Sequence, residues 1–574
     1  MLFKMKRIAA ALFTAMAALS TASQPAFAKR DTVAYDVIIT GGTVYDGSGK
    51  RGVAVDVGIV GNQIVTVGKI KTKNAKAIID ARGKAVAPGF INMLSWANES
   101  LIVDGRGMSD LKQGVTLQVF GEGWSMGPYS PAMKAELESQ QGDFKYDIKW
   151  TTLGGYLDYL VAKGVSQNIA SFVGSATVRL NVLGAVDRKA TPAELAQMQV
   201  LVSEAMREGA MGVGSSLIYA PGNYADTDEL IALSSAAAPF GGRYISHMRS
   251  EADNVEDAVD ELIRIGHKAK IGVEMYHMKL AGQANWHKFD AVAAKLAQAQ
   301  RDGIDATANM YPYVAGATGL DAAMPTWVQA DGLDAWITRL KEPAIRDRVI
   351  QEMGEKGDGW ENLLHAAGEP KNLMFLGFKN PKLRGLIGKT LAEVSATRGT
   401  TPAETAIDLV IEDGSRVETA YFLMSEDNVR NTLKLPYVSI GSDSEAAAPE
   451  GIFLNKSTHP RGYGSFARIL GRYVRDEKLI TLTEGLRRMT SLPAKNLKLK
   501  NRGLLKRGYF ADVVVFDPAT IADKATYAEP MQYAVGVSDV LVNGVPVLRG
   551  GEHTGAKPGT VVRGPGWIGW KTEK

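Results

Sequence analysis

The chain has 574 residues, a formal net charge of +4, no cysteine and seven histidines. That length admits one large α/β barrel with accessory parts. The missing cysteines exclude disulfides, thiolate metal ligands and a cysteine nucleophile, and no dense Lys/Arg block with interleaved aromatics points to nucleic acid.

Lys4, Lys6 and Arg7 precede a short Ala-rich apolar run from Ile8 to Leu19, and Ala26-Phe-Ala28 is a small-x-small cleavage signal. Residues 1–28 therefore read as a secretory signal peptide, with a periplasmic or secreted product. Its removal lowers the net charge to +1. No later stretch reaches about eighteen uninterrupted apolar residues, so no membrane span is expected after processing.

Residues 29–87 read as short strands with Gly/Asn turns: Tyr35 to Thr40, Val53 to Val60, then Gln63 to Val67 after Gly61-Asn62. Residues 501–574 repeat that character in Ala511 to Asp517 and Val540 to Val547. The two β-rich ends are expected to pack together as a small β-sandwich subdomain.

Between them, over residues 88–500, eight strand candidates alternate with helical stretches. They are Gly89 to Leu94, Val115 to Phe120, Ile169 to Val173, Gly212 to Ser216, Tyr244 to His247, Gly272 to His277, Asp305 to Met310 and Val438 to Gly441. This predicts an α/β fold, a (β/α)8 TIM-type barrel. The seventh and eighth strands stand too far apart for an ordinary crossover, so residues 317–436 are expected to form an inserted subdomain or lid.

His247 and His277 fall at the ends of the fifth and sixth strands, and Asp443 just past the eighth. Barrel sites are built at that rim. Imidazoles hold a metal and a carboxylate moves a proton in a mononuclear metal hydrolase. The alternatives are two hydrogen-bonded core histidines and a solvated Gly-Ser-Asp turn. His267 reads as a surface residue and His459 as a group behind the ligands; Arg249 and Glu251 are expected to pair with each other.

Gly41-Gly-Thr-Val-Tyr-Asp-Gly-Ser-Gly49, the stretch from Asp80 to Ile91 that ends in Pro-Gly-Phe-Ile, and the exit segment Arg507 to Pro518 resemble the amidohydrolase superfamily. Leu217 to Gly222, Ser246-His-Met-Arg-Ser-Glu251, Met310-Tyr-Pro-Tyr313, Gly441-Ser-Asp443 and His459-Pro-Arg461 are similar to its N-acyl-D-amino-acid deacylase (D-aminoacylase) branch. The resemblance implies metal-dependent cleavage of the amide of an N-acyl-D-amino acid or a similar small peptide-like compound. Family members follow Pro-Gly-Phe-Ile with a His-x-His pair; here Leu94 and Trp96 stand there. The second metal position is thus expected to be lost, with the Trp96 indole filling it. The deacylases carry a cysteine ligand after the second strand; within one residue of that position, allowing one gap, this chain has Glu122.

The resemblance implies one divalent metal on Glu122, His247 and His277, with zinc first. A carboxylate in place of a thiolate makes Mn, Co or Fe competitive. Asp443 would be the general base and then acid. Lys279, Tyr311 and Arg461 would hold the carboxylate of a small-molecule amide substrate. Two alternatives stay open: a dipeptidase or cyclic-amide hydrolase on the same scaffold, and a barrel that has lost catalysis and binds a small molecule.

Overall fold

The structure is a computed structural model that describes residues 34–71 and 74–570. The proposed leader and its cleavage point lie outside the described residues. Among the described residues no helix is long and apolar enough to cross a membrane.

Eight parallel barrel strands follow the expected order. They are Phe90–Asn92, Val115–Phe120, Asn168–Ser171 (resumed as Val173–Gly174 after Phe172), Gly212–Ser216, Arg243–His247, Gly272–Met275, Ala306–Met310 and Val438–Ile440. Each pairs with the next in parallel register, for instance Ser216 with His247 and Ser246 with Met275. Closure runs from last strand to first: Met93 N–H donates to Ile440 C=O at 3.2 Å, and Ser95 bridges Ser444. The strands are buried on both faces, as parallel strands under crossover helices must be.

The crossovers form where apolar residues recur at helical spacing. In Val255–Ala269 the buried positions are Val255, Ala258, Val259, Leu262, Ile265, Gly266 and Ala269, one continuous stripe against the barrel. Pro192–Arg207 begins with a capping box between Thr191 and Glu194. The sixth strand stops at Met275, two residues earlier than expected, because His277 adopts φ 33° and leaves the extended region.

The segment between the last two strands has a core of its own. Strands Ala315–Gly319, Leu373–Gly377 and Glu418–Phe422 make an antiparallel sheet with Glu418–Phe422 in the middle. Helices such as Pro343–Met353 and Pro402–Asp413 pack with it around Leu340, Val349, Phe375, Ile407 and Tyr421. Its first strand begins at Ala315, just before the expected 317.

The chain ends build two sheets. One orders Gln63–Gly68, Asp56–Val60, Tyr35–Thr40 and Ala75–Asp80. In the other, Val513–Phe516 from the C-terminal end pairs with Ala85–Pro88 from the N-terminal end. Alternation decides which way each residue faces. Val513 and Val515 join Val37, Ile39, Val57 and Ile59 between the sheets, while Val514 and Phe516 face the barrel core.

Candidate metal centre

Glu122 follows the second strand between two glycines that cannot be replaced without strain. Gly121 has φ 105° and Gly123 φ 70°. A Cβ on Gly121 would lie 2.4 Å from the Phe172 carbonyl oxygen, and one on Gly123 would lie 2.0 Å from Ser216 Oγ. The tight backbone aims the Glu122 carboxylate across the strand ends. His247 closes the fifth strand, and His277 sits in the turn after the sixth. Its backbone N–H donates to Asn309 Oδ1 at 2.8 Å, a bond that helps hold its unusual φ.

Three donor atoms converge there. Glu122 Oε1 is 3.1 Å from His247 Nδ1 and 2.7 Å from His277 Nε2, and the two ring nitrogens are 3.0 Å apart. All three residues are buried, and among the described residues they are the only group of three or more such side chains placed to hold a cation. Four-coordinate zinc with N and O ligands at about 2.0–2.2 Å separates its donors by roughly 3.3 Å. The observed spacing and the donor chemistry fit one such ion.

Glu251 lies behind both rings. Its Oε1 is 2.9 Å from His277 Nδ1 and its Oε2 is 3.6 Å from His247 Nε2. A proton on His277 Nδ1 then points to Glu251 and leaves Nε2 bare towards Glu122, the tautomer that a ligand needs. His247 Nε2 has no hydrogen-bond partner. Burial pushes the Glu251 carboxyl up, but His247, Lys279 and His277 outweigh it and hold it well below the usual carboxylate range. Glu122 is likewise pushed up by burial and pulled below that range by the two rings. Sequence reasoning missed this role of Glu251. Its one signal was the spacing of four residues from His247.

Lys279 departs from the expectation of a carboxylate grip. Its Nζ donates to Glu251 Oε1 and Oε2 at 2.7 and 2.9 Å and lies 2.6 Å from His277 Nδ1. Its ammonium is thus committed to Glu251 behind the histidines. Arg249 is also placed differently: it pairs with Glu261 at 2.9 Å, not with Glu251.

Asp443 stands across the site, held in the left-handed region at φ 51°. Its Oδ2 forms an ion pair with Arg461 Nη1 at 2.9 Å, and its Oδ1 accepts Trp96 Nε1 at 3.1 Å. Burial pushes its carboxyl up, against the pull of Arg461. Arg461 packs over the Tyr311 ring at 4.6 Å and donates from Nη2 to the Ala317 carbonyl at 3.3 Å; its buried Nε has no partner. The Tyr311 hydroxyl lies 3.8 Å from Met424 Sδ and interacts with the Arg461 guanidinium; burial pushes its pKa up, against the pull of Arg461. His459 accepts the Arg461 N–H at Nδ1 and donates from Nε2 to the Ala315 carbonyl, so it supports the arginine. The expected site residues thus surround one cavity of about 630 Å³, lined also by Trp96, Trp124, Tyr219, Arg416 and Thr318. The inserted subdomain supplies Arg416 and Thr318.

A parallel eight-stranded barrel with buried His and Glu donors at its C-terminal rim defines a metal-hydrolase scaffold. The chain belongs to the amidohydrolase family, whose model matches residues 119–548. It is 32% identical over 536 residues to a D-aminoacylase of Alcaligenes xylosoxydans xylosoxydans, covering 93% of this chain and 98% of that one. Among solved structures it is similar to the N-acyl-D-glutamate deacylase of Bordetella bronchiseptica, complexed with zinc and a phosphonate mimic of the tetrahedral intermediate. The TM-score is 0.76 at 30% identity, with 92% and 99% of the two chains covered. A D-aminoacylase structure with a binuclear metal centre, described by one-metal activation and second-metal attenuation, matches with TM-score 0.76 and 31% identity over 92% of this chain and 100% of that one. The branch read from the sequence motifs is borne out.

Proposed function

We propose that this protein is a metal-dependent deacylase that hydrolyses the amide bond of N-acyl-D-amino acids. One observation carries the reading: a three-donor cation site, a carboxylate across from it and an arginine with a spare buried donor all face one cavity. The similarity to D-aminoacylase and N-acyl-D-glutamate deacylase supports the substrate class. Glu122, His247 and His277 would hold one divalent metal, zinc first. When bound, the metal polarises the amide carbonyl and lowers the pKa of water towards about 7.

The chain's own residues do the rest. Asp443 takes a proton from the attacking water and hands it to the amine nitrogen as the C–N bond breaks. Arg461, with Nε unpartnered, receives the substrate carboxylate, and the Tyr311 hydroxyl donates beside it. Lys279 acts through Glu251, whose negative charge it keeps in place behind His277. With the carboxylate at Arg461 and the amide over the donor cluster, the two hands differ only in which way the side chain points, and the cavity wall accepts one of those directions. That is the source of D selectivity.

The test is a screen of N-acetyl D- and L-amino acids, with α-amide analogues of the same compounds, on zinc-reconstituted and metal-free protein. Turnover is expected only with zinc, with kcat/KM at least about tenfold higher for D than L, and higher for free acids than for amides; each factor of ten is about 1.4 kcal/mol. Equal turnover of both hands and both end groups would refute the assignment. We also propose export to the periplasm or outside the cell, carried by the leader-like composition of residues 1–28. Amino-terminal sequencing of the exported protein should begin at Lys29; a product that keeps Met1 would refute it.

A further inference from the structure

The four carboxylate oxygens at the centre are each assigned. Glu122 Oε1 faces the two histidines, and Asp443 Oδ2 faces Arg461. The remaining two, Glu122 Oε2 and Asp443 Oδ1, accept from the same atom: Trp96 Nε1, at 3.0 and 3.1 Å. Two buried carboxylates side by side repel each other unless something positive stands between them. Here a neutral indole N–H stands there.

Barrel closure fixes that placement. Leu94 C=O accepts the backbone N–H of Ser442 at 3.2 Å and of Asp443 at 2.8 Å, and Trp96 N–H donates to the Ser444 carbonyl at 3.0 Å. The indole and Asp443 therefore sit on two strands locked to each other. Indole nitrogen is a donor only, with no lone pair for a cation. An ion lodged between Glu122 Oε2 and Asp443 Oδ1 would have to expel the indole first.

From this geometry we propose that Trp96 is a positioning residue that makes the centre a one-cation site. Its single N–H takes the place between Glu122 and Asp443 that a second ion would need. It also leaves Glu122 one oxygen for the first ion and fixes the direction of the Asp443 carboxylate. The D-aminoacylase with a binuclear centre and second-metal attenuation marks the contrast: in this chain a side chain stands between the two carboxylates that could share a second ion. The inference rests on the proposed metal site.

Equilibrium dialysis of metal-free protein against rising zinc, with bound metal counted by mass spectrometry, tests it without any substrate. Wild type should plateau at one equivalent. A plateau at two, or no binding, overturns the proposal. Trp96→His exchanges a donor-only ring for one with a lone pair and should take up a second equivalent; a plateau at one means that the indole is not what excludes the ion. Trp96→Phe keeps an aromatic ring without the N–H. Its kcat should fall about ten- to a hundredfold at little-changed KM, as for the loss of a hydrogen bond to a charged group. An unchanged kcat overturns the orienting role. Circular dichroism and Tm establish that each variant is folded, and if neither is, the wild-type plateau still decides. Failure of the deacylase reading would show instead as absent turnover on every acylated amino acid, with the zinc count unaffected.

Discussion

Asp443 is held at both oxygens, by Arg461 and by Trp96, in a backbone conformation that few residues adopt. Such constraint suits a group that must meet a proton at one fixed point. Asp443→Asn keeps the shape and removes the base, so kcat should fall by about 10²–10⁴ while metal stays bound. A variant within tenfold of wild type would remove the assignment. A second buried acid, Asp110, stands apart from the reaction. It accepts from Asn92 Nδ2 at 2.9 Å, and burial pushes its carboxyl up from 3.8 to about 7 against that bond. The folded state thus binds this proton more tightly than the unfolded chain does. Its contribution to stability is full below about pH 4 and is lost as pH rises through 7. Urea midpoints at pH 5 and pH 8 should differ less in Asp110→Asn than in wild type; equal differences would contradict the shift.

Among the elements, the strand ends were legible because short strand-like segments end at His247 and His277, and Glu122 was legible through its place after the second strand, near where the resembling family carries a ligand. What sequence could not show is how separate rim loops meet. Glu251 reaches Lys279 across 28 positions and Trp96 reaches Asp443 across 347. No local pattern encodes either pair, so Lys279 read as a substrate grip when its ammonium is committed to Glu251. The glycine turn makes its own prediction. In Gly123→Ala the new Cβ would collide with Ser216 Oγ and its backbone nitrogen, so the turn must shift and carry Glu122 with it. Zinc affinity should drop at least about tenfold, in the range seen when groups supporting a metal site are disturbed, although all three ligands remain. Wild-type affinity in this variant would show that the turn does not aim the carboxylate.

Across the whole molecule, alternating strands and helices announced the barrel, and the gap before Val438 announced the inserted subdomain. The pairing of Val513–Phe516 with Ala85–Pro88 was expected only as an association of two β-rich ends; its register emerges from the three-dimensional structure. These parts converge on one feature, a candidate cation site assembled at the ends of three barrel strands that share no local sequence. Metal content measured by mass spectrometry on wild-type protein and on Glu122→Ala tests that feature most directly. Wild type should hold about one equivalent of divalent metal, and the variant should lose it. Full occupancy in Glu122→Ala would contradict it.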